Sequence, residues 1–291
     1  MNDSNPIPDE RAHGQASIAA AQMVSAASVA ANLTSAARLV AIAADGGARL
    51  VALPEYFCLM GRADTDKVAI REREGQGPIQ DFLAETAARH RIWLVGGTVP
   101  IEASDPALAE TKVKNTTFVF GPDGKVAARY DKIHLFGFQK GDEHYDESRT
   151  IAPGAALVSF VARLGEQSVR IGLTICYDLR FPELYRGLAS IGETALMIVP
   201  SAFTYTTGRA HWETLLRARA IENQCYILAP AQGGRHENGR RTWGHSMLID
   251  PWGEIVAELA EGEGVVAGIL DLARIAEVRK NLPALKHRVM F

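Results

Sequence analysis

Small apolar residues dominate the stretch from Ala16 to Met23, and then the pattern changes. From Val29 to Ala44 the apolar positions recur with the period of a helix in an alanine-rich stretch, which Gly46 and Gly47 close. Arg49 to Leu53 is a continuous apolar run again, stopped by Pro54. This order predicts strand, helix, strand, the repeating unit of a sheet covered by helices. The alternation continues. Pro78 to His90 reads as a helix and Ile92 to Thr98 as a strand. Lys114 to Phe120 and Lys125 to Asp131 read as strands about Gly121-Pro122-Asp123-Gly124, a strong turn signal. Val169 to Ile175 is predicted as a strand and Pro182 to Ile191 as a helix, with its proline in the first turn. Ala195 to Val199, Cys225 to Ala231, Gly244 to Ile249, Glu254 to Glu258 and Val265 to Leu270 read as strands, and His211 to Asn223 as a helix. The class is α/β. No linker divides the 291 residues, so one domain over 16–291 is expected, behind a polar, disordered tail over 1–15.

Charge and composition narrow the possibilities. The net charge of -3 gives no electrostatic basis for nucleic-acid binding. The nearest basic run, Arg235 to Arg241, is broken by Glu237, Asn238 and Gly239 and reads as a solvated loop. No apolar run approaches membrane-spanning length, and the first residues lack the basic start and apolar core of a signal peptide. Cys58, Cys176 and Cys225 cannot all pair, which favours a reducing compartment and a cytoplasmic location. The histidines are dispersed and the cysteines show no metal-ligand spacing. Gly262 and Gly264 lack the strand–turn–helix context of a dinucleotide loop. Neither metal nor cofactor is expected.

Three strand ends carry residues that a core would not place there. Leu53-Pro54-Glu55 delivers a carboxylate among apolar neighbours, where burial disfavours the charged form and suits proton transfer near neutral pH. Tyr130-Asp131-Lys132 places an ammonium before a mostly apolar stretch, where it could stabilise negative charge on a reacting carbonyl. Ile175-Cys176-Tyr177 ends a strand in cysteine just before a helix. Backbone N–H groups and a helix N-terminus there are expected to lower the thiol pKa and to hold an oxyanion. Each residue alone has a plain structural alternative: a surface glutamate, a solvated lysine, a buried cysteine. Cys58 and Cys225 read as packing residues.

Glutamate, lysine and cysteine in this order and context resemble the nitrilase superfamily of carbon–nitrogen hydrolases. The motifs are Leu53-Pro54-Glu55, Tyr130-Asp131-Lys132-Ile133-His134-Leu135 and Cys176-Tyr177-Asp178-Leu179-Arg180-Phe181-Pro182-Glu183, and the likeness spans Ser17 to Arg288. Tyr177 in place of tryptophan, with Pro200-Ser201-Ala202-Phe203 and Gly244-His245-Ser246-Met247, is similar to the Nit amidase branch. The resemblance implies a four-layer α-β-β-α sandwich and a catalytic set of Glu55, Lys132 and Cys176. It also implies a second glutamate, Glu147, supporting the lysine, with Glu143 as a competitor for that role. Tyr177, Arg180 and Phe203 are expected to meet substrate. Arg180 either binds a substrate carboxylate or pairs with Glu183 or Glu222. The implied partner is a small-molecule amide: deaminated glutathione first, an α-ketoglutaramate-like monoamide second. A catalytically silent binding protein is the alternative from another class. The resemblance further implies a homodimer or larger homo-oligomer, joined through Pro182 to Ile191 and His211 to Asn223. The loop Gly137 to Tyr145 departs from the branch and lies where substrate should enter.

Overall fold

The computed structural model describes residues 15–141 and 143–289. The expected tail falls outside them except for Gln15. That residue is the first of the strand Gln15–Gln22 and donates its side-chain amide to Asp271 at 3.1 Å.

Two mixed sheets face each other. In the first, Gln15–Gln22, Leu50–Ala52 and Trp93–Val95 run parallel, with Ile18 opposite Leu50 and Leu50 opposite Trp93. Antiparallel strands flank this centre: Gly264–Asp271 on one side, Val113–Phe120 on the other, with Val99–Glu102 and Val126–Asp131 beyond. The second sheet repeats the plan. Gln167–Leu173, Thr194–Ile198 and Tyr226–Ala229 are parallel; Ser159–Leu164 flanks one side, Ser246–Ile249 and Ile255–Leu259 the other.

Alternation along the first strand shows why its sequence is apolar throughout. Ile18 and Ala20 join a core that includes Leu196, Ile198 and Leu228 of the other sheet. Ala19 and Ala21 join a second core with Leu39 and Val40 of the helix Val29–Asp45 and Leu83 of the helix Pro78–His90. A strand buried on both faces cannot alternate apolar with polar. The helices Pro182–Ser190 and Tyr205–Asn223 cover the second sheet, and the α-β-β-α order is complete.

Helix starts follow local chemistry. Ser28 and Thr204 cap their helices with side-chain oxygens, and Asp271 caps Leu272–Asn281 through the N–H groups of Ala273 and Arg274. The helix expected from His211 therefore begins six residues earlier, at Tyr205. Its first turn, Tyr205-Thr206-Thr207-Gly208, is poor in helix formers, but the Thr204 hydroxyl accepts from the Thr207 N–H and fixes the start. The segment Gly137 to Tyr145 forms most of a hairpin, Gly137–Lys140 against Glu143–Asp146.

Candidate active site

The parallel strands of both sheets end at one place. Glu55 follows Leu50–Ala52 and is 1% exposed. Its Oε1 accepts from Lys132 Nζ at 2.9 Å and from Asn115 Nδ2 at 2.9 Å, and its Oε2 accepts from the Ala202 N–H at 3.0 Å. Gln232 adds a hydrogen bond to the Glu55 carbonyl at 3.1 Å. Lys132 follows Val126–Asp131 and is fully buried. Besides Glu55, its ammonium donates to Glu147 Oε1 and Oε2 at 3.0 and 2.8 Å. Glu147 also receives the Tyr56 hydroxyl at 2.7 Å and the Phe136 N–H at 2.7 Å. Of the two glutamates that competed for this place, Glu147 meets the lysine, whereas Glu143 accepts from Thr206 Oγ1 at 3.1 Å.

Cys176 closes the group. It opens a short 3-10 turn, Cys176–Arg180, with φ of 48°, a conformation that costs a residue with a side chain about 1 kcal/mol or more. Its N–H is bound to the Pro200 carbonyl at 2.9 Å, the Asp178 N–H is bound to Ile175 at 3.0 Å, and the Tyr177 N–H lies between them in the chain. Glu55 and Cys176 line the same cavity, and the Glu55 carboxylate acts on the thiol. Tyr56, beside Glu55, also has positive φ, at 57°. Both turns are thus held in strained backbone at the meeting point of the two sheets.

Electrostatics here depart from expectation. Burial pushes the Cys176 thiol well above its ordinary value; the Glu55 and Glu147 carboxylates add to this, and Lys132 opposes it only in part. The shift favours the neutral thiol and runs against the lowered pKa expected from a helix N-terminus. The lowered thiol fails first because the site is buried, and then because two carboxylates surround one ammonium. For Lys132, burial acts downward, but Glu147 and Glu55 outweigh it and raise the ammonium above its ordinary value. Burial acts upward on Glu147, and Lys132 with the Phe136 N–H and the Tyr56 hydroxyl holds the carboxyl below its ordinary value. Cys58 and Cys225 are buried thiols, each pushed up to about 12, chiefly by desolvation.

A cavity of about 280 Å³ opens on these groups, its walls including Glu55, Glu147, Cys176, Tyr177, Arg180 and Phe203. Arg180 donates to His211 Nδ1 at 3.3 Å and lies over the Phe203 ring, 5.4 Å from its centroid. It makes no ion pair among the described residues; Glu222 instead pairs with Arg219 at 3.0 Å. Arg219 in turn donates to the Leu179 carbonyl at 3.0 and 2.7 Å, pinning the cysteine turn to the helix Tyr205–Asn223.

Several contributors have no signal of their own in the sequence. Asn115 sits inside a buried strand. Asp178, fully buried, accepts from the Tyr130 hydroxyl at 2.7 Å, the Ile175 N–H at 2.9 Å and the His134 N–H at 3.0 Å. His134 Nδ1 also reaches it at 2.8 Å, and because a carboxylate only accepts, that nitrogen carries the proton. Gly154, part of the Pro153-Gly154 pair, donates to the Lys132 carbonyl at 2.8 Å, and a Cβ there would meet the Asp131 carbonyl oxygen at 2.1 Å. The stretch Arg235 to Arg241 is corrected most sharply. His236 is buried, donating through Nδ1 to the Ser25 carbonyl at 2.9 Å and accepting from Thr242 at 2.8 Å. Arg240 lines the cavity and donates to the Ala202 carbonyl at 3.0 Å. A polar run reads as solvated unless the chain returns to cover something, and here it covers the site.

Among the described residues, no group of three or more His, Cys, Asp or Glu side chains could hold a metal ion, and no helix is long and apolar enough to cross a membrane.

Fold and site define a hydrolase class: the chain belongs to the carbon–nitrogen hydrolase family, whose model matches residues 17–280. It is 40% identical over 272 residues to the deaminated glutathione amidase of Synechocystis sp., covering 93% of this chain and 97% of that one. It is 36% identical over 258 residues to the human omega-amidase, covering 88% and 89%. Its structure is similar to that of a Saccharomyces cerevisiae protein of branch 10 of the nitrilase superfamily. That match has a TM-score of 0.83 and 33% identity, covering 95% of this chain and 97% of that one.

Proposed function

We propose that this carbon–nitrogen hydrolase cleaves the amide of deaminated glutathione through a thioester on Cys176, releasing α-ketoglutarate and cysteinylglycine. The observation that carries the chemistry is a single buried ammonium, Lys132, bonded to both Glu55 and Glu147, with Glu55 and Cys176 lining one cavity. A catalytically silent binding protein has no need of such a group.

The neutral thiol sets the sequence of events. As sulfur attacks the amide carbon, the thiol proton passes to Glu55. The carbonyl oxygen becomes an oxyanion held by the Lys132 ammonium and the Tyr177 N–H. Losing one such donor typically costs about 3 kcal/mol of barrier. Glu55 then gives its proton to the leaving nitrogen, the carbon–nitrogen bond breaks and the amine departs. Water attacks the thioester carbon, its proton taken by Glu55. Collapse returns that proton to sulfur and frees the acid. Glu147 keeps Lys132 charged and aimed. Arg180, free of a carboxylate partner among the described residues and set in the same cavity, receives the α-keto acid carboxylate over the Tyr177 and Phe203 rings.

The human omega-amidase relative supports a second reading, hydrolysis of α-ketoglutaramate with ammonia as leaving group. Similarity to the Synechocystis enzyme over more of the chain favours the first. We also propose association through the helix pair Pro182–Ser190 and Tyr205–Asn223, beside which Ile191 and Ile221 stand exposed.

The test is hydrolysis of deaminated glutathione beside α-ketoglutaramate, followed by α-ketoglutarate release, with Cys176→Ala as control. Preference for deaminated glutathione and a dead variant are expected. Preference for α-ketoglutaramate selects the second reading, and activity in the variant removes Cys176 from the mechanism.

A further inference from the structure

We propose that a second cavity, next to the nucleophile's, binds a carboxylate carried by the leaving group, using Lys67 and Arg240. This deepens the functional reading above and rests on it.

The second cavity lies beside the nucleophile's and opens to solvent. The two share Phe136, Glu147 and Arg240 as a common wall. Glu147 stands in that wall with its carboxylate on Lys132, and its Oε1 also receives the Tyr56 hydroxyl, which belongs to the second cavity. An amide with its carbonyl carbon at Cys176 and its nitrogen at Glu55 can extend past this shared wall into the second cavity. Ammonia needs no such space, and a larger amine does.

The charges on the far side suit an anion. Lys67 is largely buried: its ammonium reaches Thr150 Oγ1 at 3.3 Å and lies 5.8 Å from the Tyr56 ring centroid. Its nearest carboxylate, Asp64, is 4.0 Å away and 69% exposed, too wet and too far to neutralise it. Burial lowers the Lys67 pKa, the mark of a cation short of compensation. Arg240 spends one nitrogen on the Ala202 carbonyl and another on Met60 Sδ at 3.8 Å, while its Nε is buried with no hydrogen-bond partner among the described residues. Its guanidinium lies over the Tyr145 ring at 5.3 Å, held by the hairpin that departs from the branch pattern. Glu147, the other charge in this wall, is already matched by Lys132. Of the remaining carboxylates, Asp146 caps its own turn through Ser148. The cavity therefore offers two incompletely satisfied cations to a ligand entering from the reaction centre. Of these two cavities, Arg180 lines the first and not the second, and Lys67 the second and not the first, so each takes a different end of one substrate.

The decisive comparison is kcat/KM for deaminated glutathione against the same molecule with its terminal carboxylate converted to a carboxamide, in wild type, Lys67→Met and Lys67→Arg. Wild type should prefer the acid by about 30-fold, mostly through KM, the scale of one lost charge-assisted hydrogen bond. Lys67→Met should bring that preference close to unity, and Lys67→Arg should restore much of it. No preference in wild type overturns the subsite without any variant. A preference that survives Lys67→Met overturns the assignment to Lys67. Cleavage of neither compound by wild type overturns the functional reading itself and the subsite with it.

Discussion

The Tyr130 hydroxyl donates to the Asp178 carboxylate at 2.7 Å inside the core, two residues from Lys132 on one side and two from Cys176 on the other. One buried carboxylate thus ties the lysine strand of the first sheet to the cysteine turn of the second. Asp178→Ala should strand the Tyr130 hydroxyl and the Ile175 and His134 N–H groups, lowering stability by about 3 kcal/mol or more and cutting kcat at least tenfold. Tyr130→Phe should cost about 1 kcal/mol. Because the two share one bond, the double variant should be barely worse than Asp178→Ala by chemical denaturation; full additivity would mean that they act separately.

Lys132 compensates two carboxylates, so its removal should be felt in stability as well as in turnover. Lys132→Met should cost about 3–5 kcal/mol at pH 7, the typical loss when one partner of a buried pair is removed. The raised lysine contributes stability below its unfolded-state value and loses it only as pH rises through the folded value. The depressed Glu147 contributes above its ordinary carboxylate value and loses this as pH falls. In the variant, Glu147 no longer has the cation that depressed it, so acid can discharge the unpaired carboxyls. The stability deficit against wild type should be smaller at pH 5 than at pH 7. An equal deficit at both would show that the cost is packing, not charge.

A thiol raised well above 9.0 predicts a distinctive alkylation profile. The rate at which a small alkylating reagent labels Cys176, read by peptide mass, should still be climbing beyond pH 9. A plateau below pH 8 would reveal a resting thiolate and require a different first step.

Gly154 has no room for a side chain, since a Cβ would fall 2.1 Å from the Asp131 carbonyl oxygen beside Lys132. Gly154→Ala should destabilise by about 3 kcal/mol, roughly a 5–10 °C loss in Tm, and should reduce kcat by moving the lysine. Gly137→Ala meets nothing within 4 Å and serves as the control, with Tm within about 1 °C of wild type.

Glu55, Lys132 and Cys176 were legible because each breaks an apolar strand pattern where that strand stops. The central parallel strands were legible because burial on both faces leaves them apolar throughout, whereas Val99–Glu102 and Ser159–Leu164 went unread. Arg240 and His236 were not legible, since their local sequence is polar and only the return of the chain over the site half-buries the first and buries the second. Asn115 was hidden for the opposite reason: within a buried strand, one polar residue carries no sign of what it faces. The helix Leu272–Asn281 went unread although Leu272, Ile275 and Val278 keep helical spacing, because charged residues crowd between them. The direction of the thiol shift could not come from sequence at all, since it depends on how deeply the thiol is buried and on how many carboxylates share one ammonium.

Cys176 rides on one sheet and Glu55 on the other, so no covalent path shorter than the long way round the chain fixes the distance between them. Hydrocarbon sets that distance: the layer holding Ile18 and Leu196 acts as a shim, with the sheets roughly 10 Å apart. Trimming the shim should misalign the reaction before it unfolds the protein, whereas swaps that keep its volume should be tolerated. The tolerances of the chemistry are therefore written largely in residues that never touch substrate.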